Sequence, residues 1–267
     1  MHSVSFDPRS LAISIVSHGQ GRLVRALLED LTVLGQGGVD ILVTLNIPED
    51  EAFLEGLGYQ PRVIRNQVPQ GFGANHNHAY ARTSAAYFAV LNPDIRCDAS
   101  VFAPLMEALA DSSIGVAAPR VTSSTGENED SIRRFPSTSR IGYRVMRRML
   151  GLRLKADYDV TSAQPMKVDW AAGMFLVFDS LSYKKIGGFD EGYFMYLEDA
   201  DICRRLGSIG KSTLFIPSVT VIHDAQRASR RSFKHFRWHM KSMLRCLFGS
   251  PRSQSVLMEE PTLERSH

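Results

Sequence analysis

No uncharged apolar run in this sequence approaches the roughly 20 residues that a helix needs to cross a bilayer, so a membrane-spanning protein is not expected. The opening MHSVSFDPRS has no basic segment leading into a long apolar run. The stretch LAISIV is broken by Ser17-His18-Gly19, which predicts no secretory signal. Cysteine is scarce: Cys97, Cys203 and Cys246 are an odd, widely spaced set without CxxC. That argues against a disulfide framework and a zinc site, and favours reduced thiols in a cytosol. Internal repeats are absent, and 44% hydrophobic with 22% charged residues excludes general disorder or a fibrous chain. Net charge is low at +3, yet Arg227, Arg230, Arg231, Lys234, Arg237, Lys241 and Arg245 share one stretch whose only acid is Asp224.

What is present reads as an α/β protein. The runs LAISIVS (11–17), DILVTLN (40–46), YFAVLNPD (87–94), GVAAPRV (115–121), DWAAGMFLVF (169–178) and LFIPSVTVIHD (214–224) are β-branched or aromatic-rich and bounded by turn residues, which predicts strands. Helical periodicity falls at 21–34, 74–84, 99–110 and 199–209, and near 141–150 inside a polar insertion covering 121–164. Strands alternating with helices imply right-handed crossovers and a mostly parallel central sheet flanked by helices. The expected division is one catalytic-size domain over 1–226, a basic amphipathic helix over 227–248 and a disordered tail over 249–267.

Ligands of such sheets bind beyond the carboxyl ends of the strands. Ser17 ends the first strand, Asn46 the second and Asn92-Pro93-Asp94 the third, so these should gather at one edge. Asn-Pro-Asp is ordinary turn chemistry; alternatively, Asp94 holds a divalent cation against a diphosphate, since hard cations take oxygen ligands and keep positions for substrate phosphates. The segment QGFGANHN (70–77) packs Gly71 and Gly73 into a turn before a helix, where free N–H groups favour phosphate. It is neither a P-loop nor a dinucleotide fingerprint, and a simple capped turn fits as well.

In GYFMYLEDADICRRL (192–206), Glu198, Asp199 and Asp201 crowd the first turn of a predicted helix. The helix dipole stabilises acids there, and Asp201 suits a surface ion pair with Arg205 four residues on. The apolar FMYL before them would partly desolvate Glu198 or Asp199 and make a better base, which assigns Asp201 to structure and Asp199 to chemistry. His223, ending the last strand, is a packed residue or, with Asp94, half of an N,O site suited to manganese or magnesium.

Taken in order, SIVSHG, RNQVPQGFGANHN, LNPD, WAAGMFLVF, IGGFDEGYFMYLEDADICRRL and VIHD resemble the family 2 glycosyltransferases, most closely their rhamnosyltransferase-like branch, over roughly residues 11 to 240. The resemblance implies the GT-A (nucleotide-diphospho-sugar transferase) fold. It also implies inverting transfer of a sugar, rhamnose by analogy, from a dTDP- or UDP-linked donor to a hydroxyl of a glycan or lipid-linked saccharide, with Mn2+ or Mg2+. Carried over residue by residue, Asn92 and Asp94 stand where the family's Asp-x-Asp motif meets metal and diphosphate, Asp199 is the general base with Glu198 as its partner, and His223 completes the metal site. Gly71, Phe72 and Asn77 fall on the donor-side loop with Ser17 and Asn46 behind it, and Trp170, Ala172 and Gly173 fall near sugar and acceptor. This chain departs from the pattern in having Leu45-Asn46 where relatives commonly carry Asp-Asn, and Asn92 in place of the first Asp.

Beyond the first 226 residues, Phe233, Phe236, Met240, Met243, Leu244 and Leu247 fall at helical spacing, opposite Arg230, Lys234, Arg237, Lys241 and Arg245. Such a helix either packs its apolar side on the core or adsorbs to an anionic inner membrane surface near lipid-linked acceptors. Clustered Arg and Lys with aromatics also suit nucleic acid, but nothing else in the chain supports that partner. A cytoplasmic enzyme, peripheral at the membrane, is the expectation; a catalytically silent nucleotide-sugar binding scaffold of the same fold is the alternative.

Overall fold

The structure is a computed structural model and describes residues 7–152, 156–224 and 233–249. The basic residues Arg227, Arg230 and Arg231 and the tail 250–267 lie outside the described residues. The strands are β1 (Leu11–Ser17), β2 (Asp40–Leu45), β3 (Arg62–Arg65), β4 (Tyr87–Leu91), β5 (Ile95–Arg96), β6 (Ile114–Ser123), β7 (Ile132–Arg133), β8 (Met166–Val168), β9 (Trp170–Ala171), β10 (Phe175–Asp179) and β11 (Ser212–His223). The helices are α1 (Gly21–Asp30), α2 (Thr32–Gln36), α3 (Phe72–Tyr80), α4 (Phe102–Ala108), α5 (Thr138–Met149), α6 (Ser180–Lys185), α7 (Glu198–Ser208) and α8 (Phe233–Phe248).

One large sheet runs β3-β2-β1-β4-β10-β6-β11-β5, with β8 added beside β11. β1 pairs in parallel with both β2 and β4, so the strand order reverses between β1 and β4 and opens a crevice at their carboxyl ends. β10 is antiparallel to β4 and β6, while β6 and β11 are parallel. Helices cover both faces, which is why the central strands read as nearly continuous apolar runs. Alternation along β1 sends Leu11, Ile13 and Ile15 into one core with Val24, Leu27, Phe102 and Leu105, and Ala12 into the other with Phe88, Phe178, Tyr183, Phe189 and Leu206. Each such large side chain contributes about 1.5–3 kcal/mol on burial. Ser14, on the second face, lies 2.8 Å from His76 Nδ1 and ties α3 to β1. Burial pushes that imidazole down to about 3, so it is neutral packing.

The short strands β3, β5, β7 and β8 have no counterpart in the sequence pattern, and three further elements differ from it. The run 169–178 is two strands: β9 pairs with β7 in a separate two-stranded sheet, and β10 joins the main one. The 21–34 helix divides at Leu31 into α1 and α2. α6 has only six residues, too short for a period, and begins because Asp179 Oδ2 accepts from Ser182 N at 2.9 Å.

Candidate active site

The junction between β9 and β10 is where the distant motifs meet. Three consecutive residues there serve three different parts of the chain. Ala172 N–H donates to Ser131 O at 2.7 Å, Gly173 N–H donates to Asp199 Oδ2 at 3.0 Å, and Met174 O accepts from Asn92 N–H at 2.9 Å. Asn92 is two residues before Asp94, so the NPD turn and the acidic helix α7 are held by adjacent backbone groups. Gly173 also faces Phe72 at the start of α3; a Cβ would stand 3.1 Å from the ring. This close approach explains the glycine.

α7 starts from a strained turn. Tyr196 (φ 75°) and Leu197 (φ 68°) are both left-handed, the two non-glycine residues with positive φ among those described. Side chains with a Cβ pay roughly 1–2 kcal/mol each for that conformation, and such strain persists only where surrounding contacts impose it. The contacts come from two sides. Gly71 is pressed against this loop so closely that a Cβ would lie 2.9 Å from Tyr193 O and Phe194 O, and Phe72 N–H donates to Phe194 O at 3.0 Å. From the other side α8 grips it. Arg245 forms a two-pronged ion pair with buried Asp190 (2.9 and 3.0 Å), Ser242 Oγ donates to Met195 O at 2.8 Å, Trp238 stacks on Phe194 at 4.7 Å, and Tyr196 Oη lies 2.8 Å from His235 Nδ1.

The buried side of α8 therefore carries Ser242 and Cys246, while Met240 and Leu244 are exposed. Of the two sequence alternatives for this helix, packing of the apolar side on the core is not what Met240 and Leu244 do, and Arg245, expected on the opposite basic side, faces the protein. A loop rich in carbonyls and carboxylates needs donors, and those outrank the apolar stripe. The side chains of Phe233, Lys234 and Phe236 lie outside the description.

The turn delivers two carboxylates into different environments. Glu198 is 6% exposed, and its Oε2 has no hydrogen-bond partner. Burial first, then the charge of Asp199, push its carboxyl up to about 8. Burial raises Asp199 as well, but the Gly173 and Ala200 N–H groups and the Arg133 charge act in the opposite direction. The surroundings of the two adjacent carboxylates differ: burial without a partner at Oε2 favours the protonated form of Glu198, while the two N–H groups and the Arg133 charge favour the ionised form of Asp199 against its burial. Asp201 pairs with Arg205 at 2.7 Å as the four-residue spacing predicts, with Arg205 buried and Asp201 partly buried rather than on the open surface. Arg205 donates to Ile186 O and Gly188 O below it, fixing the GGF turn.

Asp94 and His223 come together: Nε2 of His223 is 3.2 Å from Asp94 Oδ2, and Nδ1 is 3.1 Å from Glu129 Oε2. Burial opposes charging this imidazole, but the two carboxylates outweigh it and hold it above its usual value. Asp94 Oδ1 is buried without a partner. These residues fit a divalent ion. Two donors about 3 Å apart can occupy neighbouring positions of a small octahedral shell, and a carboxylate on the far nitrogen of a ligating histidine fixes its tautomer. Among the described residues no group of three or more His, Cys, Asp or Glu could hold a metal alone, so the remaining positions would fall to substrate oxygens.

The other sequence-predicted residues serve as scaffolding around this centre. Asn46 Oδ1 accepts from Asn66 and from Gln70 N–H at 2.9 and 2.7 Å, and its amide donates to Gln70 O at 3.0 Å, so its side chain shapes the donor-side loop. Asn77 is engaged with Phe189, Glu191 and Tyr183 and secures the turn after α6. Ser17 is buried, and its Oγ accepts from Gln20 N–H at 3.2 Å. Trp170 is buried, donating to Arg134 O at 3.0 Å under the Arg133 guanidinium. Sequence reading gave Glu129, Arg133 and Asp190 no role and placed Arg245 only on a basic helix side; the contacts that tie them to this centre reach residues dozens of positions away. An open cavity of about 340 Å³, lined by Gly19, Gly21, Arg22, Glu49, Asp50, Ala52 and Phe53, lies past the end of β1 and includes none of the paired carboxylates.

Solved structures share this architecture. GalNAc-T7 with UDP, GalNAc and Mn2+ superposes with a TM-score of 0.62 at 15% identity over 89% of this chain. The mannosyltransferase PcManGT of Pyrobaculum calidifontis with GDP-Man and Mn2+ does so at 0.57 and 14% over 88%. The chain spans 47% and 62% of those two proteins. The fold is that of the GT-A nucleotide-diphospho-sugar transferases. The description "Glycosyl transferase family 2" matches residues 44–172. The chain is 32% identical to rhamnosyltransferase WbbL of Escherichia coli (strain K12), over 88% of this chain and 91% of that protein. It is 26% identical to the N-acetylglucosaminyl-diphospho-decaprenol L-rhamnosyltransferase of Mycobacterium tuberculosis, over 87% and 82% respectively. The chain belongs to glycosyltransferase family 2, in its rhamnosyltransferase-like branch, and is a glycosyltransferase.

Proposed function

We propose that the chain transfers a hexose, rhamnose by kinship, from a dTDP- or UDP-linked donor to a hydroxyl of a glycan or lipid-linked saccharide, with inversion at the anomeric carbon. One observation carries this reading: Asp199, aimed by the Gly173 N–H, and the NPD turn that carries Asp94, held through Met174 O, are anchored by adjacent residues of one connector. Asp199 accepts the proton of the acceptor hydroxyl as its oxygen attacks the anomeric carbon, and the bond to the diphosphate breaks on the opposite side with its electron pair. Glu198, protonated and buried, keeps a second negative charge away from the incoming alcohol and holds the α7 turn. Arg133 steadies the charge of Asp199 before proton transfer.

Asp94 and His223 are the residues that would hold Mn2+ or Mg2+, with Glu129 orienting the imidazole. When bound, the ion supplies Lewis-acid neutralisation of the leaving diphosphate. The loop 66–71, shaped by Asn46, and the Gly71-Phe72 start of α3 would receive the diphosphate, and the crevice between β1 and β4 the nucleoside. Residues 1–226 and α8 act as one unit, because α8 holds the loop on which α7 depends. The setting is the cytoplasmic face of a membrane carrying the lipid-linked acceptor. Contact there is read as peripheral, and no helix among the described residues is long and apolar enough to cross a bilayer.

Asp199→Asn tests the reading. Transfer should fall about 10²–10⁴-fold, while stabilisation by nucleotide sugar with Mn2+ in a thermal shift stays intact. Full transfer by the variant would remove Asp199 from the chemistry.

A further inference from the structure

The strongest unexplained surface is α5. Between Ser131 and Ala156 the sequence has eight basic residues and no acid, in a chain whose net charge is only +3. On α5 and the turn that follows, Tyr143, Met146, Met149, Leu150 and Leu152 are all exposed, Met149 at 83%. Tyr143, Met146 and Leu150 are three and four residues apart and so share one side of the helix. Arg147 lies beside them, its guanidinium 5.6 Å from the Tyr143 ring and donating to its hydroxyl at 3.1 Å. No described side chain of α5 is buried. The helix is tied at its start, where Arg140 pairs with Asp157 at 3.0 Å.

We propose that α5 is the surface on which this enzyme docks to an anionic phospholipid bilayer, Met146, Met149, Leu150 and Leu152 entering the acyl boundary and the arginines meeting lipid phosphates. Charge and shape select this occupant. Aliphatic and thioether side chains flanked by arginines suit an amphipathic helix lying in the interface plane, whereas nucleic-acid interfaces are polar and stack bases on flat rings. Position agrees. α5 follows β7, whose partner β9 leads straight into Ala172-Gly173 and the Asp199 hydrogen bond, so a docked helix would bring lipid-borne saccharide to the base. This deepens the proposed reading and rests on its lipid-linked acceptor. α8 also exposes Met240, Leu244 and Phe248, but its inner side is committed to the catalytic loop, and α5 carries the main contact.

The test is co-sedimentation of the full chain with phosphatidylcholine vesicles, with and without phosphatidylglycerol. Wild type should bind only the anionic vesicles, and less so in high salt. Met149→Asp with Leu150→Asp should lower the partition coefficient at least tenfold without moving Tm, and the milder pair Met149→Ser with Leu150→Ser should give an intermediate loss. Leu244→Asp with Phe248→Asp on α8 should change it less than threefold.

Unchanged vesicle binding by both α5 variants overturns the proposal, as does loss confined to the α8 variant. Tighter binding of wild type to duplex RNA or DNA at the same salt, lost in the α5 variant, overturns it in favour of nucleic acid; conversion of a dimer to a monomer with vesicle binding intact does so in favour of a second copy. Transfer to a water-soluble saccharide reports the enzymatic reading separately. If wild type fails that assay yet binds vesicles through α5, the docking surface stands and the transferase reading falls.

Discussion

α5 and α8 are both basic, amphipathic and free of acids, yet α8 buries described side chains against the protein, whereas none of the described side chains of α5 is buried. α8 meets the 190–196 loop, which offers a buried carboxylate, a backbone carbonyl and an aromatic ring, and its Arg245, Ser242 and Trp238 answer each in turn. On α5, the described ion pair to the rest of the protein is Arg140 with Asp157 at its first turn. An amphipathic pattern thus announces that a helix has two sides. The polar groups left unsatisfied elsewhere decide which side turns inward, because an unpaired buried acceptor costs more than an exposed methionine.

The contrast can be broken at α8 first. Arg245→Ala leaves buried Asp190 unpaired and should cost about 2–3 kcal/mol, less than a fully buried pair because Arg245 is partly solvated. Tm should fall roughly 5–10 °C in a melt, with kcat reduced as the 193–197 turn relaxes; an unchanged Tm would mean that α8 does not hold the loop.

Glu198→Gln sharpens the same side. A carboxyl raised to about 8 in the fold from an ordinary 4.5 makes the folded state bind more protons than the unfolded state between those values. Wild type should therefore lose stability as pH rises through that window, by up to about 1.4 kcal/mol per pH unit. The glutamine variant should lack that slope in denaturant titrations at pH 6 and pH 8.

Ser242→Ala removes one donor to Met195 O and should cost about 1 kcal/mol. On α5, Met149→Ser should change stability by less than about 0.5 kcal/mol. A loss above 1 kcal/mol there would show that α5 is packed on the protein after all and erase the difference between the two helices.

Much of the frame was legible because strands buried on both faces declare themselves as apolar runs; β1, β2, β4, β6 and β11 fall where those runs fall. β3 was not, since RVIR at a sheet edge has a single buried side chain. The acidic turn and the NPD turn stood out from composition and family resemblance. The supporting groups did not: Glu129 reaches His223 across 94 positions, and Arg245 reaches Asp190 across 55. The left-handed pair Tyr196-Leu197 was invisible too, because neither residue type advertises that conformation and only the loops pressing on it impose it.

The three residues linking β9 to β10 act through main-chain atoms, so replacement of Ala172 or Met174 by another side chain of similar bulk leaves their links in place. Adding or deleting one residue there is different: it would slide three attachments out of step at once, separating base, phosphate turn and hairpin together. Length, more than composition, is what evolution or an engineer must leave alone in this short connector.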